Sequence, residues 1–230
     1  MTSNQHERAS DRTAEALLKI EERVGQEVDI VVMIQGDEPM VTPDMISASV
    51  LPLLSSDDIQ IANLMERIKT HEEHEDPAEV KVVVDVNDFA LYFSREPIPS
   101  CKKGVAEVPM LKQVCIIPFR RDFLLEYNSM EQTPLEIIES VDMNRLLENG
   151  IKIKMVMCDE ITLAVDTKED LMHSRDRDNR SSQTAISATR THHYCCCCCC
   201  SREGQDILIE PKHQRIETFL QQRDLLCYQK

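Results

Sequence analysis

The sequence predicts an α/β fold: a mostly parallel sheet covered by helices on both faces, with an inserted β-hairpin and a structureless C-terminal tail. Three observations carry this. Residues 28–34 are an unbroken apolar run that stops at Gln35-Gly36-Asp37-Glu38-Pro39, as a strand buried on both faces does when it ends in a loop. Helical stretches with recognisable start signals alternate with such strands up to His173. Beyond residue 173 the chain is charged, rich in Ser and Thr and poor in apolar residues, so it cannot bury enough surface to fold.

The elements follow in order. Ser10 is placed to cap a helix whose stripe is Ala14, Leu17, Leu18 and Ile20 and whose end is Gly25. After the strand at 28–34, Thr42 caps a second helix, with Pro43 in its first turn. That helix runs to about residue 54 and ends at Ser55-Ser56-Asp57-Asp58. Residues 59–65 read as a strand. The polar stretch 71–77, with its two histidines among acids, reads as an exposed charged face rather than a metal site.

Residues 80–86 and 89–94, joined by Asn87-Asp88, form the predicted hairpin, which runs into the proline-fixed segment Arg95-Glu96-Pro97-Ile98-Pro99. A strand at 114–117 and a short helix at 121–127 follow. Thr133-Pro134-Leu135-Glu136 has capping-box character, and helical pattern continues from there to Asn149-Gly150. Residues 151–157 alternate as a half-buried strand does, and 161–165 lead to Asp166-Thr167 and a last helix at 168–172. The expected organisation is one domain over residues 1–173 and a tail over 174–230, in which 214–228 could form a helix without a partner.

Charge narrows the function classes. Lys and Arg total 26 against 41 Asp and Glu, a formal net charge of -15. A sequence-neutral nucleic-acid binder needs the opposite balance. No apolar run approaches the roughly 20 residues of a membrane-spanning helix, and the N-terminus has no signal-like apolar region, so the expected location is cytoplasmic. Of ten cysteines, six are the run at 195–200; Cys101, Cys115, Cys158 and Cys227 are scattered without metal-ligand spacing.

In open α/β sheets ligands bind beyond the carboxyl ends of the strands, which is where Asp37 falls. Asp166 also follows an apolar strand, although its spacing alone favours an N-cap role. If the two strands are parallel neighbours, the two acids meet at one sheet edge, and such a pair suits Mg²⁺ together with substrate phosphates. Arg95 reads as a surface arginine or as a positioned anion binder in its proline-rich setting, and Arg12 could act likewise at the start of its helix. Glu139 and Asp142 read as plain helix surface. These patterns reach a nucleotide- or sugar-handling α/β domain.

A set of motifs in fixed order goes further. They are Ile34-Gln35-Gly36-Asp37-Glu38-Pro39, then the segments 92–99, 134–140, 145–150 and 165–171. Together they resemble the 3-deoxy-manno-octulosonate cytidylyltransferases, or CMP-Kdo synthetases, over residues 1 to about 172. The resemblance implies a Rossmann-like nucleotidyltransferase sheet and transfer of CMP from CTP to an acidic 3-deoxy-2-keto sugar (Kdo), with release of pyrophosphate. It puts Mg²⁺ on Asp37 and Asp166 and the acidic sugar on Arg95. Gln35 would face sugar or nucleotide, and Arg12 the nucleotide. Gln113, Glu139 and Asp142 join them as candidate substrate-binding residues. It also implies a homodimer built around the hairpin and the Pro134 region.

Three departures from the family pattern stand out. The family's first strand and phosphate-binding loop are not in this sequence, so the expectation is an incomplete CTP site. Gln113 stands where the family has His, and Met143 where it has Gln; both leave room for a related ketoacid sugar. The run at 195–200 has no counterpart. A catalytically inactive remnant that only binds or associates is the contrasting expectation.

Overall fold

The computed structural model describes residues 2–3, 5–6, 8–36, 40–105 and 107–158, together with the backbone of a strand at 205–211. In chain order the elements are α1 (Ala9–Val24), β1 (Val28–Gln35), α2 (Pro43–Ser55), β2 (Ala62–Arg67), α3 (His71–Glu75), β3 (Lys81–Val84) and β4 (Ala90–Ser94). They continue with β5 (Leu111–Val114), β6 (Ile116–Arg120), α4 (Arg121–Ser129), α5 (Pro134–Glu139), α6 (Met143–Glu148), β7 (Lys154–Cys158) and β8 (Gln205–Pro211).

β1 is the centre. Its apolar run is buried on both sides because alternate residues point to opposite faces. Val31 and Met33 pack with Leu17 of α1 and with Phe123, Leu124 and Tyr127 of α4. Ile30, Val32 and Ile34 pack with Met45, Val50 and Leu53 of α2. Each fully buried aliphatic side chain of this kind contributes about 1.5–3 kcal/mol relative to exposure.

The strands form one three-stranded sheet, β6-β1-β8, and one five-stranded sheet, β4-β3-β5-β2-β7. β5 and β6 are two halves of one bent arm, parted at Cys115. β5 pairs antiparallel with β2, and β6 pairs antiparallel with β1. An antiparallel bridge between Ile61 and Phe119 ties β6 to the β2 side. Strands β1, β2 and β7 therefore all point the same way, β2 and β7 as direct parallel neighbours. The sequence predicts a mostly parallel sheet; the sheet is mixed because the β5–β6 arm stands between β1 and β2. The continuous apolar run of β1 does not distinguish the two cases, since helices cover both faces in either.

Local chemistry explains several boundaries. Thr42 Oγ1 accepts the Met45 N–H at 3.2 Å and starts α2, with Pro43 in the first turn. Thr133 and Glu136 close the capping box of α5. In the hairpin turn Asp85 Oδ1 accepts the N–H groups of Asn87 and Phe89, and Asp88 takes φ 57°.

Four expectations need correction. α1 begins two residues earlier than Ser10 as cap would require: Arg8 is its N-cap residue, and Ser10 lies buried within the first turn. The helical pattern from Pro134 to Asn149 is two helices, because Ser140 adopts a left-handed φ of 53° and ends α5. The polar stretch at 71–77 is not a wholly exposed face, since His74 is buried. Finally, residues 205–211 of the expected tail form β8, antiparallel to β1 from Gln35↔Gln205 to Val28↔Pro211. The predicted strand at 161–165, the helix at 168–172 and the possible helix at 214–228 lie outside the described residues.

Two charged side chains are built into this frame. Lys81, fully buried, donates to the carbonyls of Asp76 (2.6 Å), Glu79 (2.7 Å) and Arg95 (2.5 Å). Desolvation holds its pKa below the usual lysine value. Lys112 bridges the carboxylates of Glu73 and Glu79 at 2.8 and 3.1 Å.

Candidate active site

The carboxyl end of β1 and the first half of β2, at Asn63 and Leu64, flank the bend of the β5–β6 arm, and polar groups gather there. The Gln35 N–H, on the last residue of β1, donates to the Cys115 carbonyl at 3.3 Å. Two residues before Cys115, the Gln113 side chain donates from Nε2 to Asn63 Oδ1 at 2.6 Å. Asn63, buried within β2, turns its own Nδ2 to the Val114 carbonyl at 2.6 Å and the Leu64 carbonyl at 3.0 Å. The bend is thus fixed from both strands. Gln35 leads directly through Gly36 toward Asp37.

A second cluster joins β4 to α5. Tyr92 and Ser94 are two residues apart on one face of β4, and both hydroxyls donate to Glu139 Oε1, at 2.8 and 2.9 Å. The Arg95 N–H donates to Glu139 Oε2 at 2.9 Å. The Arg95 guanidinium donates to backbone carbonyls: Nε to Glu139 at 2.9 Å, Nη1 to Pro77 at 2.8 Å and Nη2 to Ser140 at 3.4 Å. It therefore caps the end of α5. Desolvation works against the Glu139 carboxylate, but the bonds from Arg95, Tyr92 and Ser94 outweigh it and hold its pKa below the usual glutamate value. Desolvation, followed by the bond to Glu139, pushes Tyr92 up to about 12.

The two clusters stand on β5 and β4, with β3 between them. The Gln113 N–H donates to the Val80 carbonyl at 2.8 Å, and next to Val80 is Lys81, paired with Ser94 across the hairpin and bonded to the Arg95 carbonyl.

Of the residues singled out in the sequence, Arg95 and Glu139 are brought into direct contact, while Gln35 and Gln113 are each anchored beside the arm's bend, Gln35 to Cys115 and Gln113 to Asn63. Arg12 is elsewhere: from α1 it donates to Thr2 Oγ1 at 2.8 Å and to the Ser3 carbonyl at 3.3 Å. Asp142, at the N-cap position of α6, accepts the Tyr127 hydroxyl on its carbonyl at 3.0 Å. Burial pushes its carboxyl pKa up, against the pull of Arg8 and Arg145. Asp37 and Asp166 lie outside the described residues. Among the described residues no group of three or more His, Cys, Asp or Glu side chains could hold a metal ion.

Sequence reading missed Asn63, Tyr92, Ser94 and Lys81. Asn63 is a lone amide in the apolar run of β2, and Tyr92 and Ser94 sit at the period-2 spacing that puts them on one face. Lys81 gave no signal, because its partners are backbone carbonyls, two from the loop before it and one from Arg95 across the hairpin.

A mixed sheet with same-direction strands β1, β2 and β7, helices on both faces and polar groups at the strand ends is the frame of a nucleotide-handling α/β enzyme. Residues 1–153 match the cytidylyltransferase family. The chain is 39 % identical over 171 residues to the 3-deoxy-manno-octulosonate cytidylyltransferase of Fusobacterium nucleatum, covering 74 % of this chain and 67 % of that protein. Against the same-named protein of Trichlorobacter lovleyi it is 38 % identical over 187 residues, covering 77 % and 72 %. A solved structure of CMP:2-keto-3-deoxy-manno-octonic acid synthetase complexed with CTP superposes with a TM-score of 0.70 at 34 % identity, over 79 % of this chain and 72 % of that one. The chain belongs to the 3-deoxy-manno-octulosonate cytidylyltransferase family.

Among the described residues no helix is long and apolar enough to cross a membrane.

Proposed function

We propose that the protein transfers CMP from CTP to Kdo, a 3-deoxy-2-keto sugar acid, and releases pyrophosphate. The observation that supports this most is the likeness to a synthetase solved with CTP, at 34 % identity and over 79 % of the chain. The polar clusters at the strand ends agree with it. The sugar's anomeric hydroxyl attacks the α-phosphorus of CTP in line, and pyrophosphate leaves.

Asp37 and Asp166 are the residues that would hold Mg²⁺; two carboxylates are the hard oxygen donors this ion takes, and it would offset charge on the leaving pyrophosphate. Arg95 meets the carboxylate of the sugar acid. To do so its Nη groups exchange the Pro77 and Ser140 carbonyls for the substrate, while Nε stays on Glu139 and keeps the fork aimed. Glu139, Tyr92 and Ser94 position Arg95. Gln35 and Gln113 present amide groups to sugar or nucleotide at the arm's bend. Arg12 and Asp142 act on the nucleotide and sugar only through the elements they anchor.

Gln113 is fastened to Asn63 by its Nε2, which leaves its Oε1 to face a ligand. That favours, as a second reading, a related ketoacid carrying a donor such as an amino group. We further propose that the protein acts in the cytoplasm as a homodimer through exposed apolar side chains of the hairpin and α5, namely Leu91, Ile137 and Ile138, which are 61 %, 62 % and 74 % exposed.

The test is pyrophosphate release with CTP, Mg²⁺ and Kdo. Turnover is expected; its absence at high protein concentration rejects catalysis and leaves a binding role. Turnover only with an amino-substituted ketoacid selects the second reading.

A further inference from the structure

His74 has a partner on each ring nitrogen. Nε2 lies 2.9 Å from the Ile98 carbonyl oxygen, which can only accept, so Nε2 carries the proton and donates. Nδ1 is then the bare nitrogen, and it faces Cys101 Sγ at 4.0 Å, while the Pro99 carbonyl offers the thiol a second acceptor at 3.9 Å. The ring is 2 % exposed. A thiol, a base and a group that orients the base form the arrangement that activates a nucleophile.

Cys101 is half-buried and opens on a cavity of about 370 Å³. Arg67, at the end of β2, and His71, at the start of α3, line it with Val108 and Met110; Glu107 adds one opposing carboxylate. Such a mostly polar lining suits a small polar molecule with a carboxylate that can reach Arg67.

We propose that Cys101 is a reactive thiol whose cavity takes a small carboxylate-bearing disulfide and converts it to a mixed disulfide on Cys101. His74 Nδ1 takes the thiol proton as the thiolate attacks one sulfur of the disulfide. A new S–S bond forms and the old one breaks. The leaving sulfur departs with the bonding pair as a thiolate and is protonated by His74. The incoming disulfide is the only oxidant. His74 also holds Ile98, three residues beyond Arg95, so an adduct on Cys101 bears on the segment that carries Arg95. Only this link to turnover rests on the proposed transferase reading; the thiol chemistry does not.

The test treats the full chain with glutathione disulfide, or with neutral bis(2-hydroxyethyl) disulfide, and follows each cysteine by peptide mass mapping. Cys115, also half-buried, is the internal control. Cys101 is expected to react at least about tenfold faster than Cys115, below the roughly hundredfold of a well-aligned base because the 4.0 Å contact is long. His74→Asn should slow Cys101 and leave Cys115 unchanged. Arg67→Ala, at a surface position, should remove the preference for the charged disulfide. Equal rates at Cys101 and Cys115 in the unaltered protein overturn the proposal without any variant. A charge preference that survives Arg67→Ala overturns the assignment of the ligand. Thiolation without loss of turnover removes the coupling alone.

Discussion

Arg95 and Glu139 hold each other twice: the Arg95 N–H donates to the Glu139 carboxylate, and the Arg95 Nε donates to the Glu139 carbonyl, both at 2.9 Å. The pair fixes the end of β4 to the end of α5. Because Glu139 titrates below the ordinary value of 4.5 in the folded protein, its contribution to stability is present above that pH and is lost as pH falls through the folded value. Urea midpoints measured between about pH 6 and pH 3 should drop on acidification, and Glu139→Gln should flatten the low-pH part of the curve. Identical slopes for the two proteins would remove Glu139 from the acid response.

The role given to Arg95 predicts a split in kinetics. Arg95→Ala should raise KM for the sugar acid at least about tenfold, the equivalent of one lost charge-assisted contact, while KM for CTP changes little. Equal rises for both substrates would mean that Arg95 acts only through the fold.

Asp37→Asn should lower kcat by about 10³ or more, since a metal at a phosphoryl centre supplies several kcal/mol of charge stabilisation. Circular dichroism should be unchanged. Chelation of Mg²⁺ should stop turnover in the unaltered protein. Retained activity in the variant would take Asp37 out of the mechanism.

A buried ion pair gives the largest expected stability effect. Arg145 grips Glu136 through Nε and Nη2 at 2.8 and 2.7 Å, with the side chains 4 % and 1 % exposed and the Tyr127 ring 4.8 Å from the guanidinium. Arg8 also pairs with Glu136. Glu136→Ala removes the carboxylate that both cations share, leaving Asp142 as the acid near them, and should cost about 3–5 kcal/mol in urea unfolding. The double variant Glu136→Leu with Arg145→Met should recover part of that loss.

The exposed side chains of Leu91, Ile137 and Ile138 carry the proposed dimer. Ile138→Asp should shift the sedimentation coefficient from dimer to monomer without loss of helicity. A protein that sediments as a monomer before substitution contradicts the interface.

What the sequence made legible was local. Thr42 and Pro43, the Asp85–Phe89 turn and the Thr133–Glu136 capping box each act within a few residues, so their chemistry can be read in line. The apolar run of β1 announced burial on both faces, though not the direction of its neighbours. What stayed hidden was non-local. His74 sits in a run of acids and is buried because Ile98, 24 residues on, supplies its acceptor. The break at Ser140 needs a left-handed residue that no glycine signals. Arg95 and Glu139 are 44 residues apart, and nothing in either motif says that each completes the other. The motif pattern placed Asp37 and Asp166 together by resemblance, and both lie outside the described residues.

Lys81 has a consequence for chemistry on the intact protein. Its amine is enclosed, and the carbonyls of Asp76, Glu79 and Arg95 occupy its donors. An acylating reagent that modifies surface lysines within seconds has no path to this nitrogen until the hairpin base separates. The rate at which Lys81 becomes labelled is therefore a clock for how often the corner beneath Arg95 opens, and a substrate that settles on Arg95 should slow that clock.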